Sequence, residues 1–196
     1  SLTNDSVVVF GLLPEPLELY REPKAGLPHL QRSQMTFFGL QDHIAVVESN
    51  DEARLRLLPS DGDASWGPAA RLEVVAPGVG CRRVGCLAGA AQAEVVGVCC
   101  LERGLVLIEG PLGAPRRVVF DTGEETPDGV ALSPDGSLVA ATVGEELYVW
   151  RAVAPDVATR LHVGLPEDSV APALGFSRDG ALLALDRDSR LLVYRV

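Results

Sequence analysis

One methionine, three histidines and four cysteines in 196 residues leave few of the side chains on which catalysis and metal binding depend. The histidines are His29, His43 and His162, and none lies in a G-x-S-x-G or H-E-x-x-H pattern, so no nucleophile–base or metalloprotease constellation is legible. His29 falls in a proline-rich stretch and His162 on an expected outer strand, where surface histidines are ordinary. No apolar run of about 18 residues occurs, which excludes a membrane-spanning helix as an expectation. Positive charge is also sparse. The 17 Lys and Arg are dispersed, Arg82–Arg83 and Arg116–Arg117 being the densest pairs, and the formal charge is −10 with a pI near 4.7. A phosphate-binding surface needs clustered cations, so nucleic acid is not the expected partner. Ser1–Ser6 has neither a positive nor an apolar region of a signal peptide, and with no initiator methionine the chain is expected to be a processed or cloned piece of something longer.

The four cysteines are Cys81, Cys86, Cys99 and Cys100. Their spacing lacks the paired C-x₂-C of a zinc site, and neighbours 99 and 100 would point to opposite faces of a strand. They are expected to be small buried hydrophobes in a reducing compartment, which places the chain inside the cell, cytoplasmic or nuclear.

What is present is apolar and punctuated. Apolar residues make up 47% and charged residues 22%, and 20 glycines with 14 prolines recur at short intervals, as many short strands joined by turns require. The informative feature is internal repetition. GVALSPDGSLVAATVGEELYVWRA, starting at Gly129, aligns without a gap on ALGFSRDGALLALDRDSRLLVYRV, starting at Ala173, 44 positions on. Ser133, Asp135 and Gly136 fall on Ser177, Asp179 and Gly180; Leu147, Val149, Trp150 and Arg151 fall on Leu191, Val193, Tyr194 and Arg195. Each copy runs an apolar strand into Ser-x-Asp-Gly, then a second apolar strand, a polar turn and a third strand ending in an aromatic. Asp-Gly suits a tight turn, because glycine takes a positive φ and aspartate bonds its own backbone. The second strands, 138–142 and 182–185, are apolar on both faces, as in a strand covered on both sides. Fourth strands near 116–121 and 159–164 alternate more strongly.

Weaker copies precede these: 95–101 and 104–108 after a first strand at 82–87, and before them 35–39, 44–48 and 54–58 closed by 72–76. Two further strands, 7–10 and 17–20, stand at the N-terminus, for seventeen in all. A period in the low forties is the length of a four-stranded propeller blade. The expected fold is therefore all-β, a β-propeller or partial propeller of about four four-stranded antiparallel blades. It forms one domain over 1–196, with approximate blades 33–76, 82–121, 128–163 and 172–196 plus the N-terminal strands 7–20.

Over residues 116–196 the Ser-Pro-Asp-Gly turn and the Leu147-Tyr148-Val149-Trp150 strand resemble the WD-repeat β-propeller family. The likeness is degenerate: Arg151 and Arg195 stand where the family has aspartate after the aromatic, and no Gly-His opens a blade, so its His/Asp tetrad does not form in full. The resemblance implies a non-catalytic scaffold for protein–protein interaction, a subunit of a multi-protein complex. WD-type rings hold six to eight blades, which leaves three geometries here: an arc completed by further protein, a small closed ring in which the N-terminal strands pair with the last three-stranded set, and self-association of two copies. Other protein chains are the expected partners in each.

No catalytic, cofactor or metal residue is assigned. The candidate contact residues are Trp66, in the polar 61–70 loop where an exposed tryptophan would serve as an anchor, and Asp121, Glu124, Glu125 and Asp128 of the link between one blade and the next. That link lacks the D-x-D-x-D-G spacing of a calcium loop. Two alternatives stand beside the scaffold: a carbohydrate-binding or hydrolytic small propeller using channel carboxylates such as Asp42, Asp121 and Glu125, and a reader that accepts an extra peptide strand along the edge of the last strand.

Overall fold

In a computed structural model the described residues are 6–11, 17–23, 33–39, 43–49, 53–59, 72–74, 84–101, 104–110, 116–123, 125–164, 173–187 and 190–196. They hold seventeen strands in five antiparallel sheets. The first sheet pairs β1 (Ser6–Gly11) with β2 (Leu17–Pro23). The second follows the order β3 (Ser33–Phe38), β4 (His43–Ser49), β5 (Ala53–Pro59) and β6 (Leu72–Val74). In the third, β7 (Val84–Gly89), β8 (Val95–Cys100), β9 (Gly104–Glu109) and β10 (Arg116–Phe120) lie side by side. The fourth contains β11 (Gly129–Leu132), β12 (Leu138–Val143), β13 (Glu146–Arg151) and β14 (Ala154–His162). A fifth, of three strands, contains β15 (Leu174–Phe176), β16 (Leu182–Arg187) and β17 (Arg190–Arg195). Every sheet is an up-and-down meander, so each pairing is local in sequence. Among the described residues β1 and β2 pair with each other and not with the last three-stranded set.

The two Ser-x-Asp-Gly turns fold alike. Ser133 Oγ donates to Asp135 Oδ1 at 2.6 Å, Leu138 N donates to Ser133 Oγ at 2.9 Å, and Gly136 N donates to Ser133 O at 2.9 Å. The second copy repeats all three: Ser177 Oγ to Asp179 Oδ1 at 2.6 Å, Leu182 N to Ser177 Oγ at 2.9 Å, Gly180 N to Ser177 O at 2.9 Å. Donation from the serine hydroxyl, then from backbone amides, holds both aspartates below the usual carboxylate range. Gly136 and Gly180 close the turns at φ 73° and 72°, a region that costs a residue with a Cβ.

Sheets stack face on face through their alternating side chains. From the third sheet, Cys99, Leu105, Leu107, Val118 and Phe120 form one apolar cluster with Val139, Ala141, Val143, Tyr148 and Trp150 of the fourth. The Trp150 ring sits 5.4 Å from Phe120 and stacks 5.3 Å from Tyr148, whose other surroundings include the Arg160 guanidinium 5.0 Å from its centroid. The opposite face of the fourth sheet, Ala140 and Leu147, packs on Leu183 and Leu185 of the fifth, with Leu174, Phe176, Leu192 and Tyr194 around them. Strand β12 is thus covered on both sides, which explains its unbroken apolar run. Loops tie the stack as well: Gly39 N donates to Ala90 O, and Gln92 N to Pro134 O, each joining the turn of one sheet to the next.

The cysteines depart from expectation. Cys86 and Cys99, opposed across β7 and β8 with Cα atoms 4.9 Å apart, are joined as a disulfide, and Cys100 is disulfide-bonded too. The reason lies in a bulge. The β7–β8 register shifts between Val84 and Cys86, so Gly85 is the extra residue and Cys86 comes to face Cys99. The expectation of small unpaired cysteines is therefore not met at Cys86, Cys99 and Cys100. A smaller difference concerns β14, which starts at Ala154, five positions before the expected 159, directly after the Ala152–Val153 turn.

Candidate functional site: an acidic loop and an uncovered sheet face

The link from β10 to β11 is built by its own short side chains. Asp121 Oδ1 accepts from Gly123 N at 2.9 Å, and the buried Thr122 donates its hydroxyl to Glu125 O at 3.0 Å. Thr126 Oγ1 donates to Leu101 O at 3.0 Å, and Asp128 N donates to Thr142 O at 2.9 Å, fastening the link to the third and fourth sheets. A Cβ added at Gly144 would lie 2.8 Å from Glu125 Oε2, so this carboxylate rests against the β12–β13 turn. Asp128 meets the same turn: burial pushes its carboxyl up, while a hydrogen bond with the Gly144 backbone opposes that shift. Glu145 of that turn stands 3.8 Å from His162 Nε2, both side chains being mostly exposed.

The structure therefore brings Glu125, Asp128 and Glu145 together around Gly144, with Asp121 at the far end of the link, all exposed. Trp66, Glu124 and Asp42 lie outside the described residues, as does His29. Among the described residues no three His, Cys, Asp or Glu side chains converge as metal ligands, and no helix is long and apolar enough to cross a membrane.

A second feature is not among the residues singled out from sequence. The side of the fifth sheet turned away from the fourth carries Leu191 and Val193, 69% and 53% exposed. Their counterparts 44 positions earlier, Leu147 and Val149, are covered by the fifth sheet itself. On β14, Val157 and Leu161 are 71% and 41% exposed. The repeat alignment held this signal: covered positions in one copy imply apolar positions in the next that need a neighbour.

Consecutive antiparallel meanders of four strands, stacked face on face through a shared aromatic and aliphatic core, narrow the architecture to one kind. This is a β-propeller fold. The β-propeller domain of Cps50 (Swd1) from Myceliophteria thermophila superposes with a TM-score of 0.66 over 100% of this chain at 17% identity. The chain spans 65% of that domain's length. No protein-family model and no curated protein matches the sequence. The sheets are accordingly blades, and the uncovered features are the outer face of the fifth blade and the rim of the fourth.

Proposed function

We propose that the chain is a non-catalytic protein–protein interaction scaffold, a WD-like propeller segment that serves as a subunit of a multi-protein complex. One observation carries this reading: Leu191 and Val193 stand 69% and 53% exposed, whereas Leu147 and Val149, their counterparts one repeat earlier, pack against the next blade, and Val157 and Leu161 of the fourth blade add further exposed aliphatic surface. Apolar surface gathered on one region costs free energy unless another surface covers it. Asp121, Glu125 and Asp128, exposed on a link anchored to two blades, supply a rigid acidic contact that selects a basic or hydrogen-bond-donating counterpart. The Ser-Asp turns and the Trp150–Phe120 contact stiffen the blades, so a partner meets a preformed surface.

The test is the mass in solution, by light scattering, of the tagged chain recovered from its native source, beside the variants L191D/V193D and D121K/E125K/D128K. A scaffold yields discrete heavier species for the wild type, and one or both variants lose specific components. A chain recovered alone, whatever its surface carries, refutes the reading.

A further inference from the structure

We propose that Cys86 and Cys99 form a reversible thiol–disulfide site, reduced by a dithiol, whose reduced form holds the acidic link to the third blade through Pro127. The proposal goes beyond the scaffold reading and concerns the chain by itself. Its first ground is the ladder, which brings the two cysteines together without help from their bond. Leu87↔Val98, Ala88↔Gly97 and Gly89↔Val96 pair on one side of Cys86↔Cys99, and Val84↔Cys100 on the other. The cysteines are 13 positions apart. A disulfide that closes so short a loop constrains the unfolded chain less than one that closes a long loop. The hairpin therefore keeps its fold when the bond is broken and presents the two sulfurs to each other for its return.

Access is one-sided. Cys99 is fully buried, whereas Cys86 is half-buried and follows Gly85, an exposed bulge residue with no side chain to cover it. The third ground is the link itself. Cys86 Sγ lies 3.9 Å from Pro127 O, and a Cβ added at Gly85 would lie 3.7 Å from the same oxygen. Pro127 is the buried residue between Thr126, which donates to Leu101 O, and Asp128, whose amide donates to Thr142 O. A disulfide sulfur has no proton to donate, whereas a thiol has one. In the exchange, a thiolate of the dithiol attacks Cys86 Sγ, the Cys86–Cys99 bond breaks, and Cys99 leaves with the electron pair and takes up a proton. The reductant's second thiolate then attacks its own sulfur in the mixed disulfide and releases Cys86, which is protonated in turn. Two electrons and two protons pass from the dithiol to the protein, and the reductant leaves as a disulfide. The new Cys86 S–H donates to Pro127 O, a further tie beside Asp128.

The intact chain is equilibrated in mixtures of reduced and oxidised dithiothreitol, trapped with a maleimide and mapped by mass. Amide exchange and the Pro127 carbonyl carbon-13 resonance are followed by NMR. Cys86 and Cys99 become reactive together while the Ala90 amide, bonded to Val95 O across the same hairpin, stays protected; withdrawal of reductant restores the bond. In the dithiol form the Pro127 carbonyl resonance moves downfield and the Asp128 amide exchanges about threefold more slowly. C81S/C100S, in which Cys86 and Cys99 are the remaining cysteines, gives the same response. C86A/C99A has neither bond nor donor, so its Asp128 amide exchanges as in the oxidised chain and ignores reductant. A link governed by the cross-link alone would exchange faster in both C86A/C99A and the dithiol form, which overturns the proposal. So does reduction that occurs only as the hairpin unfolds, a bond that does not return, or a link indifferent to reduction. The wild-type measurement stands without either variant. Recovery of partners from the native source plays no part in it, so the redox site and the scaffold reading fail separately.

Discussion

Gly136 and Gly180 occupy matching turns with nearly equal φ, yet their neighbours differ, and this separates backbone strain from blade stacking. A Cβ at Gly136 would lie 2.9 Å from Val95 Cγ2 and 3.3 Å from Val95 Cβ, on the third blade. A Cβ at Gly180 would meet only Pro134 and Ser133 at 3.6 and 3.7 Å, ordinary contacts. Alanine in the left-handed region costs about 1–2 kcal/mol, and overpacking a filled contact adds about 1–3 kcal/mol. Gly180→Ala should therefore lose about 1 kcal/mol and Gly136→Ala about 3 kcal/mol. For a chain of this size that corresponds to Tm decreases of about 2–4 °C and about 6–12 °C. Gly123, at φ 73° with nothing within 4 Å of an added Cβ, is a further control that should match Gly180. Urea unfolding of G136A, V95A and the double variant then isolates the clash. Val95→Ala removes the obstructing methyls, so the double variant should be more stable than the sum of the singles by about 1–3 kcal/mol. Additivity, or equal losses for G136A and G180A, would refute the placement of the Ser133 turn on the third blade.

Other outcomes follow from single residues. Trp150→Ala empties the centre of the contact between the third and fourth blades and should cost about 3–5 kcal/mol in chemical unfolding, against less than about 0.5 kcal/mol for the exposed Val153→Ala. Thr142 is fully buried, and its Oγ1 is the buried side-chain oxygen left without a hydrogen bond among the described residues; Thr142→Val should raise stability by about 1 kcal/mol, and a loss of that size would mean the hydroxyl is engaged. Asp135 and Asp179 have folded-state pKa values below 3.8, so their contribution is complete above that value and fades as pH falls through the lower folded pKa. D135N/D179N should therefore show a shallower fall of Tm between about pH 5 and pH 2 than the wild type; identical slopes would contradict the turn geometry. Alkylation of the denatured, unreduced chain should leave Cys86 and Cys99 unlabelled, and labelling of both would show them unpaired.

The fold was legible because its determinants are local. Ser133-Pro-Asp-Gly136 fixes a turn through its own side chains, and the doubly apolar run of β12 announces covers on both faces. Sequence patterning missed what depends on a single irregularity or on the next blade. The Cys86–Cys99 pairing needs the Gly85 bulge, and a one-residue register shift leaves no mark on cysteine spacing. The early start of β14 has a similar origin: the β13–β14 register shifts between Trp150 and Arg151, so Arg151 opposes Ala154 after a tight turn. The acidic link was visible as composition, but its closure on Gly144 follows from a neighbouring hairpin far along the chain.

The repeat also orients the stack. Tyr148 and Trp150 of the fourth blade and Leu192 and Tyr194 of the fifth turn to the preceding blade. Ala140, Leu147 and Val149 turn to the following one, and their counterparts on the fifth blade are Ala184, Leu191 and Val193. The two faces of a blade are different surfaces, and each contact joins one kind of face to the other. Stacking is therefore directional, a head-to-tail contact that propagates until it closes or is capped. Isologous pairing of two fifth blades through Leu191 and Val193 would set like face on like face, which the contact between the fourth and fifth blades does not do. A surface that covers Leu191 and Val193 as Leu147 and Val149 are covered would present apolar side chains in the manner of Leu183, Leu185, Leu192 and Tyr194.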